Sequence, residues 1–136
     1  MDQKLGLVFN NSEQCLAELA YVSFDSHSEL WEGIRHNSNS DSSSEIQLLE
    51  TGAYQITYSV LTLEIAYFFL EWQGKYLSAS DFFKGEHQGY RQDVGHVILR
   101  ALTAPGTLRL RNISTCPVHL ARVPKNAWIH VRRYLK

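Results

Sequence analysis

The sequence predicts an all-β domain, a sandwich or a barrel, on three observations. Short apolar runs alternate with a period of two, the spacing that puts successive side chains on opposite faces of a strand. Turn chemistry recurs roughly every eight to twelve residues. No amphipathic pattern of about ten residues or more suits a helix anywhere in the chain. The 136 residues suit one domain around one core, spanning 1–136. With 44% hydrophobic and 20% charged residues the composition is that of an ordered globular chain, which excludes disorder. A net charge of −1 offers nucleic acid no bulk attraction.

No apolar run approaches the roughly 20 residues of a membrane helix, so membrane insertion is not expected. The opening MDQKLGLVF lacks a basic segment followed by a long apolar one, so no ordinary signal peptide is expected. Cys15 and Cys116 are too few for a disulfide scaffold and have no metal-site spacing. They read as two buried thiols, with a bridge between them as the alternative.

Taken in order, Leu5 to Phe9 is the first strand. Leu16 to Phe24 reads as a strand with both faces partly apolar, or begins as a short helical turn over Glu13 to Leu19. From Asp25 to Glu45 the chain turns polar, and NSNSDSSSE predicts a mobile surface loop whose base Trp31 and Ile34 anchor. Glu50-Thr51-Gly52 is a turn, with Gly52 free to take a positive φ. The clearest strand follows it. Tyr54, Ile56, Tyr58 and Val60 make a greasy core face; Ala53, Gln55, Thr57 and Ser59 make a small, semi-polar face suited to another protein surface rather than open water.

Glu64 to Trp72 is a further strand, and Gln73-Gly74 a tight turn into Lys75 to Ser80. Asp81 to Asp93 reads as a second polar loop. Val94 to Leu102 is a core strand or a short helix, and Thr103 to Gly106 a turn. Leu108 and Leu110 then alternate with Arg109 and Arg111. Val118 to Val123 is a strand. Ala127 to Leu135 is the last, with core residues Ile129 and Val131 opposite Trp128 and His130.

Candidate chemistry is sparse. The six histidines form neither His-x-His nor His-x-x-x-His, so no metal or other cofactor is expected, although His96 and His130 lie on strands. There is no G-x-S-x-G elbow, no GxGxxG loop and no carboxylate pair that marks a glycosidase. Enzymatic function is not expected. Arg109, Arg111, Arg132 and Arg133 are either a solvated face or ion-pair partners of Glu64 and Glu71 across a subunit boundary. Trp72 and Tyr90 are candidate stacking platforms for sugar rings, core or interface packing being the commoner fate of such aromatics. Asn10-Asn11-Ser12 and Asn112-Ile113-Ser114 fit the N-glycosylation pattern.

The segments ETGAYQITYSV, FFLEWQGKYLSAS, GHVILRALTAPGTLRLRN, PVHL and AWIHVRRYL together resemble the tumour necrosis factor and complement globular-head superfamily. Within it they are most similar to a bacterial branch, the C-terminal domains of collagen-like exosporium glycoproteins of spore-formers. The matching part is 45–135, and residues 1–44 supply N-terminal strands and the Ser/Asn-rich loop. Gln73-Gly74 stands where that pattern usually has Asn-Gly. The resemblance implies a TNF-like jelly roll of about ten strands, assembled as a compact homotrimer with no enzymatic activity. Tyr54, Ile56, Tyr58, Val60, Leu108, Leu110, Ile129 and Val131 then fill the sandwich. Gln55, Thr57, Ser59, Arg109, Arg111, Trp128 and His130 are expected at the subunit interface. The implied partners are sister copies and other spore-surface proteins or glycans. The implied location is a bacterial spore surface reached from the cytoplasm, with an extracellular trimeric lectin or receptor ligand as the alternative.

Overall fold

The computed structural model describes residues 4–28, 30–39, 41–83 and 90–134. Among these residues there are thirteen strands and no helix. They are β1 (Lys4–Asn10), β2 (Cys15–Leu16), β3 (Ser26–His27), β4 (Ile34–His36), β5 (Ile46–Leu48), β6 (Gly52–Thr62), β7 (Phe68–Trp72), β8 (Lys75–Ala79), β9 (Asp81–Phe83), β10 (Arg91–Ala101), β11 (Gly106–Asn112), β12 (Val118–His119) and β13 (Ala127–Arg133). A six-stranded sheet runs β3-β1-β13-β6-β10-β9, a five-stranded sheet β4-β5-β11-β7-β8, and β12 pairs with β2 in a short ribbon. Every pairing is antiparallel. Neighbours are mostly not consecutive in sequence, the crossover pattern of a jelly roll.

Alternation within the long strands builds the core. Tyr54, Ile56, Tyr58 and Val60 of β6 and Ile129 and Val131 of β13 point to one side and are fully buried. Leu108 and Leu110 of β11 and Phe68 and Leu70 of β7 meet them from the other sheet, equally buried. Two glycines give the aromatics room. A Cβ at Gly95 would lie 2.1 Å from Tyr58 Cζ, and one at Gly106 would lie 2.1 Å from Trp72 Cη2. The Tyr58 ring thus lies across its cross-strand partner Gly95. Its hydroxyl crosses to the other sheet, 3.2 Å from Ser78 Oγ. Burial pushes this phenol up to about 12.

The turns follow local chemistry. Gly52 takes φ +139° as the first residue of β6. In the β7–β8 hairpin both Gln73 (φ 55°) and Gly74 (φ 77°) lie in the left-handed region, as a two-residue turn between twisted strands requires. β1 and β13 pair along their whole lengths, so Lys4 stands opposite Arg133. At that corner Glu50 receives Lys4 at 3.6 Å and Arg133 at 3.3 Å, and Trp31 Nε1 donates to it at 3.3 Å.

Several expected elements differ in extent. The run Leu16 to Phe24 is a strand only at Cys15–Leu16. It then turns at Leu19 (φ 67°) and follows β11 through single bonds, Leu19 N to Asn112 O and Val22 N to Leu110 O. Its double-sided greasiness is explained by Val22 and Phe24, both fully buried. The polar stretch 25–45 is not one loop, because it contributes the edge strands β3 and β4; Ile34 is buried and Trp31 stacks on Tyr54 at 6.2 Å. In the expected loop Asp81 to Asp93, Asp81–Phe83 and Arg91–Asp93 are strand, and 84–89 lie outside the described residues. Glu64 to Trp72 becomes strand only at Phe68, and Val118 to Val123 is strand only at Val118–His119. Cys15 and Cys116 are free but exposed, which corrects the expectation of buried thiols. Asn10 and Asn112 of the two glycosylation patterns are buried and hydrogen-bonded into the fold.

Candidate functional site

The side of β6 turned away from the core is the centre of the candidate surface. Once Tyr54, Ile56 and Tyr58 point inward, the pleat sends Gln55, Thr57 and Ser59 outward. The register then fixes what stands beside them. One row across the sheet reads Phe9, Trp128, Ser59, Val94; the next reads Leu7, His130, Thr57, His96; the third reads Leu5, Arg132, Gln55, Ile98.

The surface has a graded chemistry. Its β1 border is apolar, its centre on β6 is small and uncharged, and its β10 border mixes Val94 and Ile98 with an imidazole. In these rows only Arg132 carries a fixed charge. Ile98 is 55% exposed, while Leu5, Leu7, Phe9, Trp128 and Val94 are half-buried. Apolar side chains gathered on one flat sheet face mark a surface that gains by being covered.

Side chains on this face satisfy one another. Gln92 Nε2 donates to Ser59 Oγ at 3.1 Å, and Tyr134 Oη donates to Gln55 Oε1 at 3.4 Å. Gln55 Nε2 lies 3.0 Å from His96 Nε2. An amide nitrogen only donates, so His96 Nε2 is the acceptor and carries no proton. At the centre, Gln55 and the buried Ser59 are thus hydrogen-bonded within the chain. This centre can be approached closely without stranding a charge.

The expected interface set divides. Gln55, Thr57, Ser59, Trp128 and His130 share this face, but Arg109 and Arg111 do not. Leu108 and Leu110 enter the core from the five-stranded sheet, so the arginines between them project from the opposite side of the sandwich. There Arg109 pairs with Glu45 at 2.9 Å and Arg111 with Glu71 at 3.4 Å, both within the chain. Both guanidinium groups lie over the Tyr21 ring, at 4.7 and 4.8 Å. They therefore lie on a different sheet face from Gln55.

The candidate stacking residues are also separated. Trp72 is half-buried on β7 of the five-stranded sheet, lying against the backbone of Gly106. Tyr90 precedes β10 of the six-stranded sheet.

Sequence reasoning missed Leu5, Leu7 and Phe9 on β1 and Val94, His96 and Ile98 on β10 as members of one surface. Alternation is present in both strands, yet Val8 on β1 and Val97 and Leu99 on β10 make the other face apolar too. Period two alone does not choose between such faces.

No family model matches the sequence, and none of the curated proteins does. Solved structures do match the fold. Eiger TNF from S. frugiperda superposes with a TM-score of 0.73 at 11% identity, covering 100% of this chain and 95% of that one. Murine APRIL at pH 5.0 gives 0.73 at 9% identity, over 98% of this chain and 100% of the other. The globular domain of zebrafish complement 1qA gives 0.64 at 12% identity, over 97% and 96%. The fold is TNF-like.

Proposed function

We propose that this chain is a non-enzymatic interaction module that assembles as a homotrimer through the outer face of its six-stranded sheet. The observation that carries the reading is the trio of cross-sheet rows centred on Ser59, Thr57 and Gln55, apolar at the border and small and neutral in the middle. The TNF-like fold supports an interaction role over catalysis. The number three comes from the sequence resemblance. So does the setting, a bacterial spore surface, where repeated trimeric heads form a coat with loops turned outward.

Light scattering on a dilute sample, at low micromolar concentration, tests the assembly. The expected mass is three times the 15.6 kDa protomer. A stable, folded single protomer overturns the reading, and a dimer overturns its threefold form. Antibody labelling of intact spores against mother-cell cytoplasm tests the setting.

A further inference from the structure

His27 and His36 stand on the two strands that end the two sheets, β3 and β4. His36 pairs in register with Ile46 of the core and turns inward, while His27, opposite Val8, stays exposed, and the two rings meet at the open edge of the sandwich. Their Nδ1 atoms are 3.0 Å apart and their planes nearly perpendicular, at 83°. His36 is only 7% exposed, and its Nε2 lies 2.9 Å from the Ser43 carbonyl.

Elementary donor chemistry assigns the protons. A carbonyl only accepts, so His36 Nε2 bears hydrogen and the neutral ring has a bare Nδ1. The short contact to His27 then needs the hydrogen on His27 Nδ1. The pair shares one proton along this contact, and once His27 is protonated at both nitrogens a further proton at His36 Nδ1 sets two N–H groups head to head.

We propose that the His27–His36 pair is an acid-sensitive clip between the two sheets, closed while His36 is neutral and open once both rings are charged. The compensation offered to a charge on His36 comes from the backbone, at Ser43 and Phe24. β1 and β5 present Val8 and Ile46, and Phe24 places its ring edge-on to His36 at 6.4 Å. Asp25, next but one to His27, directs its carboxylate to Asn11 N and Ser26 Oγ. Arg35, beside His36, is on the exposed side of β4.

Burial holds His36 below its ordinary value of 6.5; the Ser43 hydrogen bond opposes this and charge on His27 reinforces it. The sign follows. The unfolded or opened chain takes up the proton first, so the clip is fully effective above that value and is lost as pH falls through the lowered one. Opening releases Leu30 and Ile34 from their place over β1, where a Cβ at Gly6 would lie 3.2 Å from Leu30 Cδ2 and 3.0 Å from Ile34 Cδ1.

Hydrogen exchange read by mass spectrometry, corrected for intrinsic rates, tests the clip on the full chain. Between about pH 7.5 and about pH 5, exchange in peptides spanning 24–46 should rise by about tenfold or more relative to peptides from β6 and β10. In His27→Gln that relative rise should shrink to about twofold or less, because a neutral amide can accept from a charged His36 or donate to a neutral one. Equal acid sensitivity in wild type and variant overturns the proposal. Long-range nitrogen NMR on the unmutated protein gives a second reading: His36 must appear as the Nε2–H tautomer near neutral pH, and the Nδ1–H tautomer overturns it.

Discussion

On the outside of the five-stranded sheet, β11 presents Arg109 and Arg111, each with a carboxylate from its own chain and both resting on Tyr21. On the outside of the six-stranded sheet, β6 presents Gln55, Thr57 and Ser59 between apolar borders. Both faces obey the same alternation and flank the same core, but their chemistry diverges. A sheet face left in water carries charge and closes its ion pairs locally, where each contributes little. The other face, with Arg132 as the one fixed charge in its three central rows, gathers apolar side chains that gain by being covered. The difference teaches that core-facing residues define the fold here, while the outward residues divide the two sheets by role.

The widest separation between the faces should come from Gln55→Arg, which puts a charge at the neutral centre. Near a symmetry axis that charge meets its own copies, so loss of assembly in light scattering is expected, with Arg109→Gln, from a partly exposed pair, as a control that keeps the mass and costs about 1 kcal/mol or less. An unchanged mass for Gln55→Arg would erase the distinction.

Tyr58→Ala strikes the core that both faces share and should cost about 3–5 kcal/mol in urea unfolding. A loss below about 1 kcal/mol would mean that the ring over Gly95 is not a packing element. The Tyr58 hydroxyl gives a subtler probe of sheet-to-sheet contact. Its folded value is raised from 10.0 to about 12, so the unfolded chain loses the proton first as pH rises. Stability present below pH 10 should therefore decline across that interval by roughly 2–3 kcal/mol, and Tyr58→Phe should remove this part of the alkaline slope. Parallel slopes in the two proteins would discount the cross-sheet contact.

The smallest effect belongs to the hairpin of the charged sheet. Gln73→Asn suits the left-handed turn better and should add about 0.5 kcal/mol with the oligomer unchanged. A loss of stability would show that the 3.3 Å bond from Gln73 Nε2 to Pro105 O outweighs the backbone preference.

Much of the architecture was legible because β6, β11 and β13 alternate cleanly and glycine marks their turns. Tyr54 to Val60 could be assigned to the core from spacing alone. Sheet membership was not legible. Arg109 and Gln55 each sit between core residues, and nothing local says that one strand belongs to the upper layer and the other to the lower. The stretch around Tyr21 misled for another reason: it buries Val22 and Phe24 like a strand but bonds to β11 only intermittently. The His27–His36 contact was invisible because it joins the ends of two sheets, a relation fixed only once both are built. Cys15 and Cys116 show the reverse failure, since composition favours burial and the short ribbon beside Cys15 has too little layer over it.

The opposition of Lys4 and Arg133 across the β1–β13 pair has a practical consequence. The first strand begins and the last strand ends at one pole, so cargo joined at Lys4 and at Arg133 would be displayed side by side. A short flexible bridge could join those ends and move the termini to the Gln73-Gly74 tip, giving a circular permutant that presents its cargo from the charged sheet instead.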